Sequence, residues 1–302
     1  RRSIAVDLKH EGGRDVVLQL IDRSSALLEG HRPGVMERLG LGPEECRRRN
    51  PRLVYGRMTG WGQEGPLSVT AGHDIDYIAL SGALSVAARV GERPVPPVNL
   101  LGDFGGGGAF LALGVLAALL EASVSGQGQV VDAAMVDGSA VLTTMLHGLL
   151  AQERWRDVAG TNFADTGAPF YEVYECADGR HVAVGALEPQ FYERLLDGLG
   201  LDPADLPPRR DESNWPPLKE RFAEVFRTRT RDEWAETFAG SDACVAPVLT
   251  LTEAPGHAHN AARGTFVEHG GIVQPAPAPR LSRTPAVLDR PPPRAGDHTD
   301  EV

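Results

Sequence analysis

A chain of 302 residues, 24% charged and 42% hydrophobic, has the composition of an ordinary soluble protein and can bury a core in one large or two smaller domains. Its formal net charge of -11 argues against nucleic acid as the main partner, because a phosphate backbone needs a basic face, but leaves room for a basic pocket holding a phosphorylated small molecule. The three cysteines, Cys46, Cys176 and Cys244, have neither CxxC nor metal-ligand spacing, so no metal site and no disulfide framework are expected, and a cytoplasmic location is.

The chain opens without Met on RRSIAVDLK, so a preceding natural segment is expected to be missing. Residues 3–8 read as a strand, 10–24 as a helix with Val16, Val17, Leu20 and Ile21 at helical spacing, and 26–29 as a short buried strand. After the loop GHRPG come two short helices, 35–39 and 43–50, then a strand at 53–59. Alternating strands and helices predict an α/β layer with a parallel sheet. No GxGxxG fingerprint is present, so no nicotinamide cofactor is indicated.

Residues 60–71 form a Gly-, Pro- and Ser-rich loop at a strand end, where such sheets bind ligands. A helix is predicted over 73–88, a Pro-rich loop over 91–101, an apolar helix over 105–123, a strand over 129–134 and a long helix over 136–154. The apolar run at 106–122 is short for a membrane span and reads as a core helix. Residues 170–186 then read as a hairpin turning at Asp178-Gly179, 188–201 as a helix, 202–217 as a polar link, 218–238 as one or two helices and 244–251 as a strand. From 274 the chain is rich in Pro and Arg and reads as an extended tail.

Two ionisable groups stand at loop-to-helix junctions. His73 is a natural proton acceptor at neutral pH, and Asp103 precedes four glycines. Taken singly, each is more often a local helix-start residue, and Asp103 an N-cap. Together, with glycine-rich flanks, they suggest two acid/base groups facing one pocket. Gly105 to Gly108 would leave backbone N–H groups free at a helix N-terminus, able to stabilise an enolate oxygen. Glu188 starts a helix after the hairpin, where a first-turn Glu is common. Arg1, Arg2, Lys9, Arg32 and Arg38 lie at or just after strand ends, as an anionic nucleotide ligand would need.

The segments EGHRPGVMERLGLG, GRMTGWGQEGP, AGHDIDY, NLLGDFGGG, GQGQVVDAAMVDG, FYEVYECADGRHVAVGALEPQFY and GDHTDEV resemble the family III CoA-transferase superfamily, and within it the α-methylacyl-CoA racemases. The resemblance spans nearly the whole chain and implies that an N-terminal segment of roughly fifty residues is lacking. It implies a Rossmann-like large domain, 1–135, a linker helix, 136–165, a small α+β domain, 166–272, and a tail, 273–302, returning to the large domain. Two subunits would interlock, with the active site between the large domain of one and the small domain of the other.

The implied reaction inverts the carbon next to a CoA thioester, with His73 as base for one enantiomer and Asp103 for the other. Glu188 would hydrogen-bond near the histidine and hold its tautomer. CoA contacts are implied at Val6, Asp7, Leu8, Lys9, Gly30, His31, Arg32, Arg38, Gly72, Asp74, Ile75, Asp76 and Tyr77. His31 stands where some relatives have Tyr and Asp76 where many have Asn, so Asp76 adds charge beside His73. CoA is part of the substrate and no separate cofactor is implied. The rival within the superfamily is a CoA-transferase using Asp103 as an acyl-accepting nucleophile; proton transfer needs His73 and acyl transfer does not. A second rival is a non-catalytic CoA-ester-binding fragment.

Overall fold

The computed structural model describes residues 1–302. In chain order the first half comprises α1 (Glu11–Asp22), β1 (Ala26–Glu29), α2 (Val35–Arg38), α3 (Pro43–Arg49), β2 (Val54–Thr59), α4 (Asp74–Leu80), a wide-turned π-helical segment (Leu100–Ala109) running into α5 (Phe110–Ser125), β3 (Val130–Ala134), α6 (Met135–Leu142) and α7 (Thr144–Ala151). The second half comprises β4 (Tyr171–Glu175), β5 (His181–Gly185), α8 (Pro189–Leu199), α9 (Trp215–Phe226), α10 (Arg231–Thr237), β6 (Val245–Pro247), α11 (Ala258–Arg263), β7 (Phe266–His269) and β8 (Ile272–Pro275).

The expected parallel sheet is present, with β2 between β1 and β3. One of its faces is covered by α1, α2 and α3 through Leu18, Ile21, Met36, Leu41, Cys46, Leu53 and Tyr55. The other is covered by α5, whose Leu111, Val115, Ala118 and Ala122 form one helical stripe on Val54 and Ala133. Gly56 admits that helix, because a Cβ there would sit 2.6 Å from Leu28 and 3.0 Å from Leu111.

Residues 3–8 form no strand. Their polar groups pair with the tail instead: Ser3 N–H donates to His298 Nδ1, His298 N–H to Ser3 O, and Ala5 N–H to Thr299 Oγ1. Backbone groups need partners, and here side chains and a returning tail supply them in place of a neighbouring strand. The tail thus reaches the first residues of the chain.

Three further expectations are corrected. The helix after His73 ends at Leu80 rather than 88, because Ser81-Gly82 breaks it, with Gly82 at φ +82. The helix at 136–154 is two helices that meet at Thr143, whose hydroxyl donates to Ala140 O. The apolar helix begins earlier than 105, and the continuous helix Leu100–Ser125 has 26 residues, long and apolar enough to cross a membrane by length and composition. Only one face of it is buried; Leu113, Leu116, Leu120 and Val124 are exposed.

In the second half, β4, β5 and β6 form an antiparallel sheet. The hairpin forms where expected, but Cys176 N–H donates to Arg180 O, so its turn is the three residues Ala177, Asp178 and Gly179, with Gly179 at φ +72. The strand at 244–251 shortens to Val245–Pro247. α8, α9 and α10 bury an aromatic core on this sheet, including Tyr174 stacked on Phe226 and Trp234 on Phe238. The β7–β8 hairpin, turning at Gly270-Gly271, lies in a stretch where no strands were anticipated.

Candidate active site

The parallel strands end at Glu29, Thr59 and Ala134, and the residues just beyond them line a cleft of about 280 Å³. Gly30, His31, Arg32 and Pro33 form one wall, Gly60 and Trp61 part of the next, and Gly72, His73, Tyr77 and Met135 lie across from them. This is where an open parallel sheet offers loops and helix starts to a ligand. Trp61 meets Tyr77 edge-on at 4.7 Å, and Gly60 and Gly72 are the residues that let these rings in: a Cβ at Gly60 would lie 2.0 Å from Tyr77. Asp132 Oδ2 accepts from Gln63 N–H and anchors the loop to β3.

His73 is the N-cap of α4, with extended backbone, and its side chain is exposed at the cleft. Asp76 Oδ2 accepts from His73 N–H at 2.9 Å, so the acidic residue three positions on fixes the backbone under the imidazole. The N–H groups of Asp76 and Tyr77 turn back to His73 O. Those of Asp74 and Ile75 have no acceptor within the chain and lie in the first turn beside His73.

Asp103 is not an N-cap. It lies inside the π-helical segment, which starts at Leu100. Its backbone N–H donates to the buried Asp74 Oδ1 at 2.6 Å, and Asn99 Nδ2 donates to its Oδ2 at 3.1 Å. Val98, just before Asn99, is a β-branched residue at φ +55, a conformation that costs about 1–3 kcal/mol and is tolerated where the surroundings enforce it. Burial, then the negative charges of Asp103 and Asp76, push the Tyr77 phenol above its ordinary pKa, against a smaller opposing effect of Arg32. Tyr77 therefore stands within electrostatic reach of both Asp103 and Arg32.

The four glycines do not cradle an anion. They lie within the helix, and two of them serve close packing: a Cβ on Gly106 would sit 2.6 Å from Ser139 N and one on Gly107 2.9 Å from Met135, while the facing Gly138 would place a Cβ only 1.9 Å from Gly106 O. The expectation of a glycine-built oxyanion site is corrected accordingly; the free N–H groups are at the start of α4.

The cleft gathers Gly30, His31, Arg32, Gly72, His73 and Tyr77. Asp74 and Asp76 are close by but engaged in internal bonds, and Ile75 is exposed. Arg38 is exposed on α2, with Nη1 3.1 Å from where a Gly34 Cβ would be. Val6 and Asp7 line a different cavity, about 600 Å³, against α1, Thr299 and Val302. Leu8 packs into the core, and Lys9 N–H donates to Asp7 Oδ1. Glu188 is the exposed N-cap of α8, and its side chain makes no hydrogen bond, to His73 or to any other residue of the chain. Sequence reasoning missed Glu29 and Arg57, buried ionic residues on β1 and β2 just behind the cleft. An arginine inside the apolar strand VYGRMT was the available signal.

A sequence profile of CoA-transferase family III matches residues 1–299. The chain belongs to CoA-transferase family III. This family III chain is 50% identical over 304 residues to the mouse (Mus musculus) alpha-methylacyl-CoA racemase, an alignment covering all of it and 80% of that relative. It is 48% identical to the human (Homo sapiens) alpha-methylacyl-CoA racemase over the same shares. A crystal structure of Rv3272 from Mycobacterium tuberculosis superposes with a TM-score of 0.82 at 27% identity, covering 99% of this chain and 82% of that one. The family III fold therefore accounts for both halves of the molecule.

Proposed function

We propose that the protein is an α-methylacyl-CoA racemase, an isomerase that inverts the α-carbon of 2-methylacyl-CoA thioesters through an enolate. The observation that carries this reading is the tie between His73 and Asp103. His73 lines the cleft while Asp103 does not, but Asp74, next in sequence to His73, accepts the backbone N–H of Asp103, which supports reading the two as one acid/base pair. Identity of half the residues with the mouse racemase supports the same reading.

In this mechanism the α-carbon of the thioester lies between the two groups. The neutral His73 imidazole removes the α-proton of one enantiomer, and the C–H electron pair becomes the enolate. Asp103 in its acid form then delivers a proton to the opposite face. For the other enantiomer the Asp103 carboxylate removes the proton and the His73 imidazolium returns one. The enolate oxygen needs hydrogen-bond donors in place as charge develops, and the free N–H groups of Asp74 and Ile75 serve as those donors. Arg32 and Arg38 meet the anionic part of CoA. The substrate carries the CoA, and the proton transfers as drawn need no further cofactor.

The exposed apolar face of α5 is assigned to a second copy of the chain, giving a homodimer in which Glu188 completes the site of the other copy. The division into a large domain to residue 135, a linker helix, a small domain over 166–272 and a returning tail is part of the same proposal, as is a cytoplasmic location. Nucleic acid and membrane are not proposed as partners.

The test is incubation of each enantiomer of a 2-methylacyl-CoA with the protein in deuterated water, followed by NMR for α-deuterium and chirality. Exchange with inversion is expected, and His73→Ala or Asp103→Ala should abolish inversion while leaving exchange one-sided. Absence of exchange, with Asp103-dependent CoA transfer to an added acid, would replace the racemase by a transferase. CoA binding without either activity would leave a binding protein.

A further inference from the structure

We infer that the ion cluster Glu29–Arg57–Glu37, buried at Glu29 and Arg57, is the positioning device for the wall of the cleft that receives the anionic part of an acyl-CoA. This inference rests on the acyl-CoA reading above.

Arg57 and Glu29 are register neighbours on β2 and β1, with side chains 7% and 3% exposed. Arg57 Nε donates to Glu29 Oε1 at 2.8 Å, and its Nη1 and Nη2 donate to the two oxygens of Glu37 at 2.8 and 3.3 Å. The second oxygen of Glu29, Oε2, accepts from His31 N–H at 2.6 Å. One guanidinium thus ties the end of β1, the Gly30–Pro33 turn and α2. These are the segments that carry His31 and Arg32 into the cleft and hold Arg38 beside Gly34.

A cluster of this kind is a poor stabiliser. Charges taken out of water lose hydration, and an apolar pair of similar size is often as stable or more so. Val54 and Tyr55, three and two residues before Arg57, are fully buried, so the strand already sits in an apolar setting. The cluster also carries one positive and two negative charges, so it does not itself attract an anion. What it supplies is direction: the forked guanidinium fixes two carboxylates at set angles, and one of these fixes the His31 backbone.

The experiment compares the intact protein with the double variant Arg57→Met/Glu29→Met, which leaves net charge unchanged and replaces the buried pair by apolar side chains. Free CoA is the binding probe, read by calorimetry, beside KM and kcat for racemisation and thermal unfolding. A merely structural cluster would lower unfolding temperature or kcat without touching CoA affinity. A positioning cluster predicts a folded variant whose CoA affinity falls, and whose KM rises, by about tenfold or more, while kcat stays within about threefold. Should the double variant not fold, Arg57→Lys keeps the charge but loses the fork, and an intermediate fall in CoA affinity is expected.

Folded variants that bind CoA as the wild type does would overturn the inference and leave racemisation intact. A wild type that binds CoA, loses it in the variants, and racemises nothing would retain the cluster's role and remove the racemase. A wild type that binds no CoA would remove both.

Discussion

The backbone N–H of Asp103 donates to Asp74 Oδ1 at 2.6 Å, across 29 positions of sequence. Asp74 is 5% exposed and packs so closely on Gly102 that a Cβ there would lie 2.5 Å from the same oxygen. Its other oxygen, Oδ2, is buried without a partner. Because His73 precedes Asp74, this bond ties together the backbone segments that carry the two proposed bases. Asp74→Ala removes the anchor, and a displacement of the order of 1 Å at a reacting group costs about 10²-fold in turnover. Asp74→Asn keeps an acceptor in place and should retain most of the rate. Single-turnover α-deuterium exchange, measured separately from each enantiomer, checks this; equal and full activity in Asp74→Ala would show that the anchor is dispensable.

The glycine run makes a packing prediction. Gly106→Ala pushes a methyl to 2.6 Å from the backbone of Ser139, whereas Gly108→Ala meets only Asp103 O at an ordinary 3.5 Å. Overpacking of a well-filled contact costs about 1–3 kcal/mol, while alanine in place of glycine within a helix gains up to about 1 kcal/mol. Gly106→Ala should unfold at lower denaturant than the wild type, and Gly108→Ala at the same or higher. Equal stability of the two variants would contradict the close approach of the helices.

Glu37 sets a pH dependence. Burial raises its pKa, but the Arg57 hydrogen bonds and backbone N–H groups outweigh that and hold the carboxyl below its ordinary 4.5. A depressed pKa in the folded state adds stability above the unfolded value, and this is lost as pH falls through the folded one. Glu37→Gln should therefore be less stable than the wild type at neutral pH, and the gap should close as pH drops below 4.5. With the Glu37 side chain 44% exposed, solvent screening keeps the pair's contribution within about 1 kcal/mol. Urea unfolding over a pH series reads the gap, and a constant difference at every pH would rule out the linkage.

Thiol chemistry should be selective. Burial pushes Cys46 and Cys176 each up to about 11, and both are buried. Cys244 is exposed, though burial of its sulfur and the charges of Glu188 and Asp242 raise its pKa too. The thiolate is the reactive form, so a disulfide reagent at neutral pH should label one thiol in the native protein, more slowly than free cysteine, and three in denaturant. Rapid labelling of two or three native thiols would show that the cores around Cys46 or Cys176 open readily.

Much of the architecture is written locally. The alternation of apolar runs and helical spacing between Ala26 and Thr59 dictated parallel strands with covering helices, and Asp178-Gly179 dictated a hairpin. These signals need only a few neighbouring residues, because strand and helix periods and turn conformations are properties of short segments. His73 and Asp103 were legible as chemistry-bearing types in recognisable motifs. What those residues stand against was not. Whether Asp103 caps a helix or hangs inside one depends on Asp74. Whether Gly106 frees an N–H or makes room for a helix depends on Gly138 and Ser139. Residues 3–8 read as a strand and form none, because a strand needs a neighbour and here the tail takes its bonds. Local sequence determined most of the elements and the identity of the reactive side chains. Tertiary contact decided their partners, since hydrogen bonds and close packing join residues that are distant in sequence and carry no mark of one another.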